Sequence, residues 1–190
     1  MISLAETLLN NGASWDDVTP EGDSLLSYLI LSSQPRSPEG LKYYLEHVPR
    51  SSRTAVLAAT HGQGQTPLHH AAAVPKLDKS IMMMLLGDGT YGLRDVILGK
   101  DDKGRTALHI ASMCGNSTAV RLLLEAGTAV DVCDDGGDTP LALALKRPDS
   151  VERWNLVNSF NGNGADRTAL QHFDSETNTV VALLQAYIAL

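Results

Sequence analysis

Aromatic side chains make up only 5% of this 190-residue chain, so a core must be built from Ala, Leu, Val, Ile and Met, which suits short, closely stacked helices. Cysteine is nearly missing. Cys114 and Cys133 cannot make a disulfide framework, and a zinc site needs about four ligands at short spacing. They read instead as buried or half-buried thiols of an intracellular protein. Basic residues are outnumbered, 15 Lys and Arg against 22 Asp and Glu, a net charge of −7. Phosphate binding needs a basic footprint, so nucleic acid is excluded as the main ligand and a neutral or basic protein is favoured. The same charge is also ordinary for solubility. No apolar run approaches the roughly 20 residues of a membrane span, so no membrane insertion is expected. The segment 1–6 lacks the charged and apolar regions of a signal peptide. No Ser/His/Asp, Cys/His or paired-carboxylate set stands out, so no catalytic residue, metal site or cofactor is assigned.

What the chain does have is repetition. Gly104-Arg105-Thr106-Ala107-Leu108-His109-Ile110-Ala111 recurs 33 positions later as Gly137-Asp138-Thr139-Pro140-Leu141-Ala142-Leu143-Ala144. Upstream stands Gly64-Gln65-Thr66-Pro67-Leu68-His69-His70-Ala71-Ala72, and before it a weaker copy, Gly22-Asp23-Ser24-Leu25-Leu26-Ser27. Each copy has a glycine two residues before its Ser or Thr, where a tight hairpin needs a positive φ. The Thr has the chemistry of an N-cap, and Pro67 and Pro140 occupy the favoured first helical position. In the cleanest copy a first helix is predicted over 107–114, stopped by Gly115 as a left-handed residue. A second follows over 117–126, with Val120, Leu123 and Leu124 on one face. Gly127 ends it, and an extended stretch 130–132 leads to the next tip.

The other copies are longer. From Ser24 to Thr66 is nine residues more than the period, and from Thr66 to Thr106 seven more. The surplus is expected in loops at 34–40, 49–53, 75–78 and 88–92, around second helices at 41–48 and 81–86. Residues 4–13 match only the second half of a repeat. At the other end Thr168 opens a copy with Asp166 where the glycine would be, and a helix is expected over about 176–188. A solenoid needs polar caps, so the chain reads as an excised region of a longer protein rather than a complete one. The units are 1–18 as a partial repeat, repeats at 19–60, 61–100, 101–133 and 134–165, and a capping repeat at 166–190.

A Thr-Pro-Leu-His-x-Ala core at this period resembles the ankyrin repeat, strongly over 61–147 and more weakly at both ends. The resemblance implies an all-α solenoid of four to five helix-turn-helix units with hairpin fingers. It implies a monomeric, non-enzymatic module of the cytoplasm or nucleus that binds another protein or peptide with its finger tips and the exposed ends of its first helices. Carried over by position, the fingers are Pro20, Glu21 and Asp23; Gly62, Gln63 and Gln65; Asp102, Lys103 and Arg105; Asp135, Gly136 and Asp138. The helix ends are Leu31 and Ser32, Ala73 and Val74, Met113 and Cys114, Lys146 and Arg147. The groove is therefore expected to centre on Val74, Met113 and Cys114. Around it would stand Gln63, Gln65, Asp102, Lys103, Arg105, Asp135, Asp138, Lys146 and Arg147, an apolar centre with a charged rim.

Other constellations read as structure. His69 and His109 fall at the motif histidine, where a neutral ring would bridge backbone groups of neighbouring repeats, and His61, His69, His70 and Asp78 are not read as a metal site. Residues 134–138 form a turn, lacking the alternating ligands and closing glutamate of a calcium loop. At least two of Met82, Met83 and Met84 must face the core, and Trp15 and Trp154 have no companions for an aromatic cage. The favoured function is a scaffold or targeting domain of a larger protein. The alternatives are an accessory domain of a larger enzyme, or a small dedicated chaperone or inhibitor of a basic client.

Overall fold

The helices start where threonine and proline dictate. The computed structural model describes residues 7, 10–15, 17–18, 24–32, 39–74, 77–86, 94–147 and 159. Within them run α1 (Leu25–Ser32), α2 (Glu39–His47), α3 (Arg50–Ala58), α4 (Pro67–Ala73), α5 (Lys79–Leu86), α6 (Arg94–Ile97), α7 (Ala107–Cys114), α8 (Ser117–Glu125) and α9 (Pro140–Leu145). Thr66, Thr106 and Thr139 are all extended and sit at the N-caps of α4, α7 and α9. Thr139 Oγ1 accepts from the Ala142 N–H in the usual way. Gly115 ends α7 with φ 77°, in the left-handed conformation.

Packing makes two rows. The first helices α1, α4, α7 and α9 stack on one another, and the second helices α2, α5 and α8 stack behind them. Among the described residues the one large aromatic in the interior is Tyr44, whose ring meets Trp15 edge-on with centroids 5.0 Å apart and whose hydroxyl donates to the Trp15 carbonyl. Leu26, Ile30, Leu68, Ile81, Leu108 and Leu123 supply the fully buried bulk, with Ala71, Ala72 and Ala111 letting neighbouring helices approach. Among the described residues the extended pairings are the isolated bridges His61–Gln65 and Val18–Ser24. This is the all-α repeat solenoid that the sequence predicts.

Two expectations need correction. Segment 49–53 is not a loop. It opens α3, which follows α2 directly through Pro49 and packs against α4 and α6. The short α6 occupies the matching place in the next repeat, so the surplus residues of two successive repeats form a stacked ledge rather than separate loops. Burying Val56 and Leu57 from α3 and Val96 and Ile97 from α6 explains why the ledge holds. Cys133 is exposed rather than buried, and only Cys114 is half-buried. The expected loop 88–92, most of 34–40, the finger residues Pro20, Glu21 and Asp23, Trp154, the second helix expected at 151–160 in the fourth repeat (residue 159 apart) and the whole C-terminal cap lie outside the described residues.

Candidate functional site

The motif histidines lock the fingers to the helices. His69 Nε2 lies 2.9 Å from the Arg105 carbonyl, and His109 Nε2 lies 3.1 Å from the Asp138 carbonyl. A carbonyl only accepts, so each Nε2 carries the proton. Each Nδ1 is then the acceptor, taking the backbone N–H and the hydroxyl of its own N-cap threonine at 3.2 and 2.8 Å for Thr66, and at 3.1 and 2.8 Å for Thr106. Both rings are fully committed as neutral bridges and neither can ligate a metal. Burial lowers both imidazoles below their ordinary pKa, outweighing the carbonyl bonds that favour the cation. In the first repeat Ser27 stands at the histidine's place and bonds only locally, to Ser24 Oγ at 3.0 Å.

The described fingers are tied in succession by backbone bonds, Asp102 N–H to the Gln63 carbonyl and Asp135 N–H to the Lys103 carbonyl, both at 3.0 Å. Inside a finger, Asp101 Oδ1 accepts from the N–H groups of Lys103 and Arg105 at 3.0 and 2.9 Å. Asp134 Oδ1 does the same for Gly136 and Asp138, both at 2.9 Å, which makes 134–138 a carboxylate-braced turn. Gly104, at φ 70°, passes so close to the next finger that a Cβ there would lie 2.5 Å from Asp135 Oδ1.

These contacts divide the twelve anticipated binding residues. Gln63, Asp102, Lys103 and Asp135 are exposed on the finger tips, Gln65 is half-buried, and Met113 is 41% exposed with Cys114 half-buried beside it. Burial pushes the Cys114 thiol up, against the opposing pull of Arg147 and Arg105, so it is not an activated nucleophile. Val74 is a correction. It is buried, because it is the extended C-cap of α4 and its side chain turns inward while Asn116 Nδ2 donates to its carbonyl at 2.8 Å.

Arg105, Lys146 and Arg147, anticipated on the charged rim, each make a contact within the chain. Arg105 forks onto Asp101 Oδ2 through Nε at 2.9 Å and Nη2 at 2.6 Å, with its side chain 12% exposed. Burial raises the Asp101 carboxyl, but the guanidinium and the two N–H donors overcome that and hold it below the usual range. Lys146 Nζ reaches Asp138 at 2.6 Å. Arg147 lies over Gly115 and donates to the Met113 carbonyl, closing the C-terminal end of α7 from the following repeat.

Sequence reasoning placed Leu31 among the first-helix ends but left a second apolar contributor, Tyr28, out of the site. Leu31 is 46% exposed and Tyr28 45% exposed, one turn apart on α1. Leu31, Ala73 and Met113 occupy the same place on α1, α4 and α7, so stacking lines them up as an accessible apolar row beside the fingers. Tyr28 was legible as the equivalent of His70 and Ile110, four residues after each N-cap. Its exposure was not, because it depends on how far the next repeat covers it.

Residues 77–153 match the family model for ankyrin repeats, in three copies. Diacylglycerol kinase zeta of Rattus norvegicus is 32% identical over 88 residues, covering 46% of this chain and 9% of that protein. Palmitoyltransferase ZDHHC17 of Danio rerio is 48% identical over 52 residues, 27% of this chain and 8% of that protein. E3 ubiquitin-protein ligase KEG of Arabidopsis thaliana is 38% identical over 60 residues, 31% of this chain and 4% of that protein. The chain thus spans under a tenth of the length of these relatives.

Proposed function

We propose, for a chain that carries ankyrin repeats and so a protein-interaction fold, that its partner binds along the row of first-helix ends and finger tips. The observation that supports this most is the aligned apolar row Leu31–Ala73–Met113, with the exposed Tyr28 one turn before Leu31. An apolar strip that a folded monomer leaves accessible gains most from being covered by another chain. The exposed carboxylates of Asp102 and Asp135 stand on the tips beside it, and the neighbouring cations are mostly spent on internal contacts. A partner segment with apolar anchors and a basic flank fits that surface. The module acts by holding such a partner for a larger protein of the cytoplasm or nucleus, without chemistry of its own.

A second reading, an accessory domain of a larger enzyme, is favoured by the names of the relatives. A kinase, a palmitoyltransferase and a ubiquitin ligase each match over a small part of their length. The partner surface is the same in both readings.

The test is quantitative crosslinking capture with the wild-type chain, Met113→Glu and Leu31→Glu, each checked for retained helicity. Partners that drop more than about tenfold with both variants are expected, since each variant buries a charge at the centre of the interface. A partner captured equally by all three chains would place binding elsewhere.

A further inference from the structure

The second helices end in a groove that the partner surface does not use. An open cavity of about 690 Å³ is lined by Leu45 and Glu46 of α2, Arg53 and Leu57 of α3, Met83, Met84 and Leu86 of α5, and Leu122, Glu125 and Ala126 around the end of α8. It lies behind the first helices, on the side away from the fingers. One wall is α3, part of the nine-residue surplus that the regular repeat lacks. That volume falls in the range of about 300–1,000 Å³ typical of binding clefts.

Its floor is apolar, and Met83, 52% exposed, stands on its edge although its neighbour Met82 is in the core. A thioether there offers an adaptable apolar surface. Its electrostatics follow from the helices. Three C-terminal ends converge on it, each carrying roughly half a negative charge. Arg53 answers one of them, donating from Nη2 to the Leu45 carbonyl at 2.8 Å. The ends of α5 and α8 have no basic residue in their last turn. At α8 the backbone closes the last turn without a cation: the Leu122, Leu123 and Leu124 carbonyls accept the N–H groups of Ala126, Thr128 and Gly127 at 3.0, 3.2 and 3.0 Å, and the Thr128 hydroxyl also donates to Leu123 at 3.0 Å. Glu46 is exposed on the rim, and Glu125 is held only by the solvent-facing Arg121 at 3.1 Å.

We infer that this groove is a second docking site, taking an amphipathic helix of a partner protein whose apolar face lies on Met83 and Met84 and whose Lys or Arg residues meet the exposed Glu46 and Glu125 on the rim. Three helices spaced about 8–10 Å apart give a floor about 20 Å across, the length of about thirteen helical residues.

The experiment selects a displayed library of random peptides, about sixteen residues long, on the wild-type chain with counter-selection on Met83→Glu. A synthetic peptide from the winners is then titrated by fluorescence anisotropy. Enriched sequences should carry apolar residues at helical spacing together with Lys or Arg. Affinity should fall more than about tenfold with Met83→Glu and about three- to tenfold with Glu46→Lys or Glu125→Lys. It should be unchanged with Met113→Glu, which separates this site from the finger-side surface. Acidic or unpatterned winners, equal binding to Met83→Glu, or no sequence surviving counter-selection would each overturn the assignment.

Discussion

Replacing Asp101 by asparagine removes one charge and no volume, which makes it a clean probe of what the Arg105–Asp101 pair does. The amide oxygen can still accept from the N–H groups of Lys103 and Arg105, so the turn is kept. What is lost is the Oδ2 acceptor for Arg105 Nε and Nη2, at 2.9 and 2.6 Å. The guanidinium then stays in a site where its side chain is 12% exposed, without a counter-charge. Breaking a fully buried pair costs about 3–5 kcal/mol, and the residual exposure here reduces that to about 2–3 kcal/mol. Asp134→Asn is the control. Its Oδ1 braces the same turn through Gly136 and Asp138 but faces no guanidinium, so a change within about 0.5 kcal/mol is expected. With a urea slope of about 1–3 kcal/mol/M, the Asp101 variant should lower the midpoint by about 1–2 M while Asp134→Asn leaves it in place. Adding Arg105→Leu to Asp101→Asn should recover part of the loss, because no charge is then left buried. Equal midpoints for the two asparagine variants would refute the argument and return Arg105 to the set of free rim charges.

Three further outcomes follow from the same contacts. His69 and His109 have lowered folded pKa values, so their contribution is complete above the unfolded value of about 6.5 and declines as the pH falls below it. Urea midpoints should therefore drop between about pH 7 and pH 5, and a flat or rising profile would show that the rings are not neutral bridges. Gly104→Ala should cost more than Gly137→Ala, since both have positive φ but only the first drives a Cβ into Asp135; about 1–3 kcal/mol is expected for Gly104, read by thermal or urea unfolding. Arg147→Ala should lower stability by about 1 kcal/mol through the freed Met113 carbonyl, and leave partner affinity unchanged in the same crosslinking capture.

The repeat was legible in the sequence because its devices are local. A glycine two residues before a threonine, a proline at the first helical position and a glycine after 114 each act within one turn of backbone, and the structure places them at φ 70°, at N1 and at φ 77°. The histidines could be read as bridges for the same reason, since the Thr66–His69 and Thr106–His109 halves of each bridge span three residues. What only the tertiary structure decided is which polar and apolar side chains are left over. Arg105, Lys146 and Arg147 look identical to free rim charges in one dimension, and their partners Asp101, Asp138 and the Met113 carbonyl become available only when neighbouring turns and repeats close on them. Val74 is buried because Asn116, 42 positions away, takes its carbonyl, while Leu31 and Tyr28 stay accessible at the same level of the stack. The surplus residues carried no helical repeat of their own to read. Segment 50–58 is a helix because α4 and α6 give its apolar residues somewhere to pack, a reason that lies outside the segment itself.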